Sequence, residues 1–202
     1  GCKQDESEPP VTYPDYGRLQ VGNYWIYQRF SVDSLGNATP TDVFDSCYVE
    51  KDTLIHGNTY AKITKPWPWG TSQKKVYEYL RDSLHYLVDP SGMIWFSSSD
   101  FSTVFYSYTS IIPTIGDTVY TVNVKMDDKD QLINTPAGEF ITCNFKASYE
   151  LYPPFIIVSN PRYVHKRYAK DKGLIVETLP FFASIPTTTE RRLVRYFLNP
   201  PE

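Results

Sequence analysis

The sequence predicts a mainly β protein: an antiparallel sheet that forms an open barrel or a sandwich, with little helix. Its 202 residues include 17 Tyr, 11 Phe and 4 Trp, and aromatic residues favour the pleated, half-buried surface of a sheet. Segments that alternate apolar and polar side chains recur about every 8 to 12 residues, separated by Gly, Pro, Asn and Asp, as in all-β domains. No amphipathic segment continues beyond about two helical turns.

A polar N-terminal tether precedes the first strand. Residues 1–14 are charged and contain Pro, with no periodicity, which is typical of a linker. We assign residues 15–202 to a single antiparallel β domain, since sandwiches and barrels often reach this length without dividing. The net charge of −3 gives no overall field that attracts nucleic acid, so we expect no nucleic-acid partner.

Two predicted strands have the clearest alternation, residues 118–126 and residues 140–151. In the first, Tyr120, Val122 and Val124 share one face while polar residues occupy the other, as in a strand with one dry side. Ten further runs have strand character: residues 23–32, 43–51, 60–64, 75–80, 84–88, 93–96, 101–108, 163–169, 174–178 and 192–198. Turn sequences at 56–58, 89–92 and 135–138 separate neighbouring runs, so we expect consecutive strands to pair antiparallel.

The first residues resemble the mature start of a bacterial lipoprotein. Gly1 and Cys2 are followed by a polar segment with no apolar residue before Val11, and signal peptidase cuts such precursors before a diacylated cysteine. The resemblance implies that Cys2 is the site of lipid attachment, that the membrane is a partner through this anchor, and that the protein resides in the bacterial cell envelope. A recombinant protein made without its signal peptide would lack the lipid.

Five further segments, taken in order, resemble a group of exported bacterial lipoproteins of unknown function. They are Leu-Gln-Val-Gly-Asn-Tyr-Trp-Ile-Tyr at 19–27, Tyr-Leu-Arg at 79–81, Ile-Gly-Asp at 115–117, Thr-Pro-Ala-Gly-Glu-Phe at 135–140 and Tyr-Ala-Lys-Asp-Lys-Gly-Leu-Ile at 168–175. The resemblance implies an antiparallel β domain, either an open barrel or a curved sheet, and it implies no known chemistry.

The candidate ligand-binding residues are Trp67 and Trp69, in the sequence Lys-Pro-Trp-Pro-Trp-Gly at 65–70. Two indoles held by flanking prolines in a loop are costly to expose, and such rings stack on sugars or capture an apolar surface. The alternative is that both rings fold back over the end of the barrel and serve as part of the core.

No residue set points to catalysis, a metal ion or another cofactor. His56, His85 and His165 are far apart in the sequence and form no metal-ligand motif. Cys47 and Cys143 lie in strand patterns as small apolar residues, and an exported protein also permits a disulfide between them. The acidic cluster at 127–130 is interpreted as a hairpin turn rather than a calcium loop, because it lacks the glycine and terminal glutamate of an EF-hand.

Two basic runs, at 162–172 and 191–195, build an anion-binding patch if their strands are neighbours, although exposed strand faces explain them equally well.

We therefore expect a binding or structural module of the envelope and not an enzyme. One alternative is a carbohydrate-binding protein that uses Trp67 and Trp69. Another is a carrier of an apolar or lipidic ligand inside an open barrel, which requires a continuous apolar cavity of several hundred Å³ or more.

Overall fold

The computed structural model describes residues 10–156, 159–181 and 185–200. Within them the chain forms one 12-stranded antiparallel sheet that curls into a half-barrel, and no helix. The strands are β1 Tyr24–Val32, β2 Ala38–Ile55, β3 Asn58–Pro66, β4 Lys75–Ser83, β5 Tyr86–Val88, β6 Ile94–Ser97, β7 Tyr106–Ile111, β8 Thr118–Thr135, β9 Gly138–Leu151, β10 Arg162–Ala169, β11 Gly173–Thr178 and β12 Thr188–Phe197. The curled sheet resolves the choice between an open barrel and a sandwich.

The first strand, β1, and the last strand, β12, lie side by side in the middle of the sheet. The spatial order is β6-β5-β4-β3-β2-β1-β12-β11-β10-β9-β8-β7, so one meander leads from β1 to one edge and another returns from the opposite edge to β12. The two edges are tied together by Tyr106 of β7, whose hydroxyl bonds both the amide and the carbonyl of Ile94 in β6. This contact therefore bridges the two edges of the curled sheet.

The predicted strands are confirmed, because each of the twelve runs overlaps one observed strand. The predicted turn at residues 56–58 is also present, with His56 at φ 48° and Gly57 at φ 80°. Two consecutive positive φ angles match the twist of the strands that a tight hairpin joins. Position 173 requires glycine for a steric reason as well, because a Cβ there would lie 2.9 Å from the Trp25 ring.

The prediction of a hairpin turn at residues 127–130 is wrong. The stretch continues β8 as a bulge, with a register shift against β9 between Asp127 and Gln131 and positive φ at Asp128 and Asp130. The acidic side chains bond Lys146, Asn144 and Arg167 of the neighbouring strands, which compensates for the interrupted ladder. The turn comes later, at the predicted Thr-Pro-Ala-Gly sequence between β8 and β9.

The concave face has two halves, which we name by the ends of the sheet. The lower end is where β11 begins, and the upper end is where β3 and β11 finish. The lower half is filled by two contiguous apolar clusters whose buried members include Trp25, Ile63, Leu80, Phe96 and Leu193. Burial of this apolar surface is the main contribution to the stability of the fold.

The N-terminal segment closes the lower end. Tyr16 packs against Phe96 with 4.8 Å between ring centroids, and Leu19 contacts both apolar clusters. The carbonyl of Asp15 accepts a 2.7 Å hydrogen bond from the amide of Asp171, in the β10–β11 turn. The chain therefore enters the domain at the end opposite to the β3–β4 loop.

Candidate functional site

The β3–β4 loop, which carries both predicted tryptophans, lies at the upper end of the half-barrel. The Trp67 ring is half-buried, and the Lys74 ammonium lies 4.3 Å from its centroid. Trp69 is 38% exposed and lines a surface cavity of about 330 Å³ with Pro180, Phe181 and other residues. The two rings are thus separated, one against its own loop and one at the surface. Cys2, the predicted site of lipid attachment, lies outside the described residues.

A buried arginine holds this loop in place. The Arg29 guanidinium donates hydrogen bonds to the carbonyls of Trp67 (2.9 Å), Pro68 (3.2 Å) and Gly70 (2.7 Å). Its other bonds go to the Asp45 carboxylate, at 2.8 and 3.0 Å. Because carbonyls in a proline-rich loop have few amide partners, a fixed guanidinium satisfies several of them together. The position of the loop therefore depends on a charge inside the half-barrel.

A second arginine extends this arrangement. Arg191 Nε lies 2.5 Å from Asp45, which therefore bridges two guanidinium groups. Arg191 also contacts Glu177 at 3.2 Å and donates to the Pro66 carbonyl at 2.9 Å. Strands β2, β1, β12 and β11 are four consecutive strands of the sheet, which brings these residues to one level of the concave face.

Two lysines face the same carboxylate. Lys65 Nζ is 2.8 Å from Glu78 and 3.7 Å from Glu177. Lys166 Nζ is 3.6 Å from Glu177 and lies 4.5 Å from the centroid of the Trp95 ring. We call the whole set the ion-pair network; its members are Arg29, Asp45, Lys65, Glu78, Lys166, Glu177 and Arg191.

The network fixes the protonation of its members. Burial alone would raise the pKa of Glu177, but Lys65, Lys166 and Arg191 lower it to about 2. The pKa of Glu78 is lowered in the same way, since Lys65 and Lys166 outweigh its burial. Both carboxylates are therefore ionised at neutral pH.

A cavity of about 340 Å³ opens on the network, and we call it the upper cavity. Its walls combine charged, aromatic and apolar side chains: Lys65, Pro68, Val76, Glu78, Trp95, Tyr149, Val164, Lys166, Glu177, Thr178, Leu179, Pro180, Phe181 and Arg191. The volume is at the lower end of the range for small-molecule sites, and the mixture of apolar walls with a few convergent polar groups is typical of them.

The aromatic wall of the upper cavity continues toward the sheet edge. Phe181 is 5.5 Å from Tyr149, which is 5.1 Å from Tyr120, which in turn is 6.1 Å from Tyr108 on β7. Tyr108 is 52% exposed. The rings of this row pack edge to face, and Tyr149 and Phe181 at its inner end form an aromatic part of the cavity wall, of the kind that contacts rings and apolar groups.

The lower half contains little free space. The void among Trp25, Tyr27, Cys47, Leu80 and their neighbours holds about 30 Å³, which is room for one or two water molecules. The carrier alternative requires a large apolar cavity, and this filled core counts against it within the part of the chain that the structure describes.

The remaining candidates are dispersed. His56 lies in the β2–β3 turn, His85 bonds Ser97 at 3.0 Å, and His165 contacts Asn144 at 2.9 Å. Across residues 10–156, 159–181 and 185–200, no group of three or more His, Cys, Asp or Glu side chains is placed to hold a metal ion.

The two cysteines within the described residues are free and buried in different apolar clusters. Burial raises the pKa of the Cys47 thiol to about 12, although Arg191 and Lys65 oppose the shift. A protonated thiol is a weak nucleophile. The same described part of the chain contains no helix that is long and apolar enough to span a membrane.

Sequence reasoning grouped Arg191 and Lys166 with surface basic runs and did not identify the other members of the network as site residues. The available signal was a charge at a position that continues an apolar face. Arg29 follows Trp25 and Tyr27 at a spacing of two, and Glu177 follows the apolar run Leu174–Val176 in β11. Charges at such positions are buried and need partners.

The chain matches no protein-family model and no curated protein. It is similar to a solved structure from Parabacteroides distasonis, provisionally described as a lipoprotein, with 13% identity, coverage of 93% of this chain and 100% of that chain, and a TM-score of 0.49. It is also similar to one from Bacteroides fragilis, provisionally described as an exported protein with a YmcC-like fold, with 14% identity, coverage of 91% and 99%, and a TM-score of 0.46.

Proposed function

We propose that this protein is a lipid-anchored binding protein of the bacterial envelope and that its ligand occupies the upper cavity. The observation that carries the proposal is the cavity of about 340 Å³ bordered by five members of the ion-pair network. Buried ion pairs rarely stabilise a fold more than apolar residues of the same volume would. Their concentration around one cavity therefore supports a role in binding.

Binding is a better match to this chemistry than catalysis. The carboxylates at the cavity have lowered pKa values, so neither Glu78 nor Glu177 carries a proton to donate near neutral pH. General acid catalysis needs a group whose pKa lies near the working pH. The Cys47 thiol, with its raised pKa, is a poor nucleophile.

The direction of the cavity follows from the path of the chain. The N-terminal segment packs across the lower end, through Tyr16 and Leu19. An anchor at Cys2 would reach this end through a tether of about a dozen residues, which spans at most about 40 Å. The upper cavity then lies at the end of the domain opposite to the point where the tether is attached.

The four tryptophans provide a test, because each reports on a different place. Trp95 lines the upper cavity, Trp69 lies at the surface, and the Trp25 indole is buried with a 2.7 Å hydrogen bond to the Lys172 carbonyl. In proton–nitrogen NMR spectra recorded with a diverse library of small molecules, we expect ligands that move the Trp95 indole signal and leave Trp25 unchanged.

A Val164→Trp variant serves as the control, since the larger side chain fills the cavity that Val164 lines. It should abolish the shifts at Trp95. Ligands that continue to bind this variant, or a library that never affects Trp95, would contradict the proposal.

Carbohydrate binding at the β3–β4 loop is a second candidate, favoured by the 38% exposure of Trp69 on a loop that Arg29 fixes. Preorganised exposed rings are suited to sugar stacking. Wild-type protein and a Trp67→Ala, Trp69→Ala double variant are compared on a glycan array. Identical binding patterns would remove this candidate and leave the upper cavity unaffected.

A further inference from the structure

We propose that the ligand of the upper cavity carries an anionic group, a carboxylate or a phosphate, that binds between Lys65 and Lys166 while an apolar or ring-shaped body lies against Trp95, Tyr149 and Phe181. The proposal rests on the proposed function, because it names the chemical class of molecule that the same cavity takes.

The first argument is the unused hydrogen-bonding capacity of Lys166. An ammonium group has three N–H donors. Its nearest carboxylate oxygen among the described residues, on Glu177, is 3.6 Å away, which is beyond the range of a good hydrogen bond. The Trp95 ring at 4.5 Å supplies a cation–π contact but accepts no strong hydrogen bond. The donors of Lys166 are therefore available to an acceptor that enters the cavity.

The second argument is the convergence of two ammonium groups. Lys65 lies 3.7 Å from the same Glu177 oxygen, and its close contact is with Glu78 at 2.8 Å. The other oxygen of Glu177 is bonded by Arg191. Lys65 and Lys166 thus lie on two strands beside the same Glu177 oxygen, and neither is within close hydrogen-bond distance of it. Both ammonium groups line the cavity, where an anionic group of a ligand can accept hydrogen bonds from them, which is how lysines bind anions.

The third argument is charge balance. The ion-pair network contains four cations, Arg29, Lys65, Lys166 and Arg191, and three carboxylates, Asp45, Glu78 and Glu177. Lys65 and Arg191 side chains are 8% and 3% exposed, so the excess positive charge is poorly hydrated. Leaving such a charge without a counterion is unfavourable. A monoanionic ligand neutralises the network, whereas a cationic one doubles the imbalance.

The fourth argument concerns the rest of the ligand. Besides the charged groups, the cavity is bordered by Trp95, Tyr149 and Phe181 together with Val164 and Leu179. This wall offers apolar contact and few acceptors. It suits a ring or short aliphatic body more than a second charged group.

The test uses matched probes that share a ring and differ in charge: phenyl phosphate, benzoate, neutral benzyl alcohol and cationic benzylamine, each at about 10 mM because small fragments bind weakly. We expect phenyl phosphate and benzoate to shift the Trp95 indole signal and benzylamine to leave it unchanged. Inorganic phosphate alone should bind more weakly than phenyl phosphate. Vesicles of phosphatidylglycerol distinguish a lipid head group from a soluble anion.

Three variants locate the charge. Lys166→Met should weaken the binding of benzoate and phenyl phosphate by about tenfold or more, as expected for the loss of a charge-assisted hydrogen bond. Lys166→Arg should retain it. Lys170→Met removes an exposed lysine from the β10–β11 turn and should have no effect. Thermal unfolding of each variant confirms that it is folded.

The outcomes separate the two proposals. If benzyl alcohol shifts Trp95 as strongly as benzoate, or if Lys166→Met binds anions normally, the anionic class is wrong while the cavity remains a binding site. If library molecules bind at Trp95 but none of the anions do, the same conclusion holds. If neither the library nor any probe affects Trp95, both proposals fail.

Discussion

The two halves of the concave face are built by the same strands and have opposite character. In the lower half, Ile175 and Leu193 are completely buried among apolar and aromatic neighbours. In the upper half, the corresponding inward positions of the same strands carry Glu177 and Arg191. The lower half is stabilised by the hydrophobic effect, which does not require each side chain to have a specific partner. The upper half requires every charged side chain to lie close to one of opposite charge.

Under the proposed function, the lower half provides stability and the upper half provides the binding site. An apolar core would have been as stable as the ion-pair network, because the desolvation of buried charges offsets much of their attraction. The chain nevertheless places seven charged residues where the half-barrel is open and apolar ones where it is closed by Tyr16 and Leu19. The following predictions test how far the two halves differ, beginning with the largest expected effect.

Asp45→Ala should cause the greatest loss of stability, about 3–5 kcal/mol, because it leaves both Arg29 and Arg191 buried without their shared partner. Chemical denaturation at neutral pH measures the change. Asp42→Ala, on an exposed position of the same strand, is the control and should be close to wild type. A small effect at Asp45 would mean that the upper half is more hydrated than its burial indicates.

Leu193→Ala in the lower half should cost about 2–4 kcal/mol, since a fully buried leucine is replaced by a cavity. Leu54→Ala, at a position that is 74% exposed, is the matched control. Unlike Asp45→Ala, the Leu193 variant should destabilise the protein equally at low and high salt. If the loss of stability caused by Leu193→Ala depended strongly on salt, the distinction between the two halves would be wrong.

Acid should weaken the upper half through Glu177, whose pKa is about 2 in the folded protein and about 4.5 when unperturbed. Because the folded-state pKa is lowered, the stabilisation is fully present above about pH 4.5 and is lost as the pH falls toward 2. Glu177→Gln should reduce this pH dependence although it is less stable at pH 7. Glu139→Gln, on an exposed position, should keep the wild-type dependence of stability on pH. If stability changed with pH equally in both variants, the attribution of this dependence to Glu177 would be wrong.

Trp69→Ala should have the smallest effect, less than about 1 kcal/mol, because Arg29 holds the loop through backbone carbonyls rather than through this ring. Trp25→Ala in the lower half is the comparison and should cost about 3–5 kcal/mol. Thermal unfolding of the two variants gives the contrast. If both tryptophan variants are equally damaging, the loop belongs to the core, as the alternative interpretation of the sequence holds.

The sequence predicted the fold more completely than the site. Alternation with a period of two depends on burial alone, so strands such as β8 and β9 were recognisable without knowledge of their neighbours. The bulge at Asp128 was mistaken for a turn because aspartates are common in turns, where they tolerate the positive φ that Asp128 and Asp130 also adopt in the bulge. The ion-pair network was missed because its seven members come from seven different strands, and pairings between distant strands leave no local pattern.

The pairing of β1 with β12 joins residues that are about as far apart in the sequence as the domain allows. If residues near 15 and 200 were connected and the chain were opened between β6 and β7, the strand order would become an uninterrupted meander from one edge to the other. Every strand would then pair with its sequence neighbour. Because folding slows as contacts become more distant in sequence, we expect the natural order to fold more slowly than this permuted order.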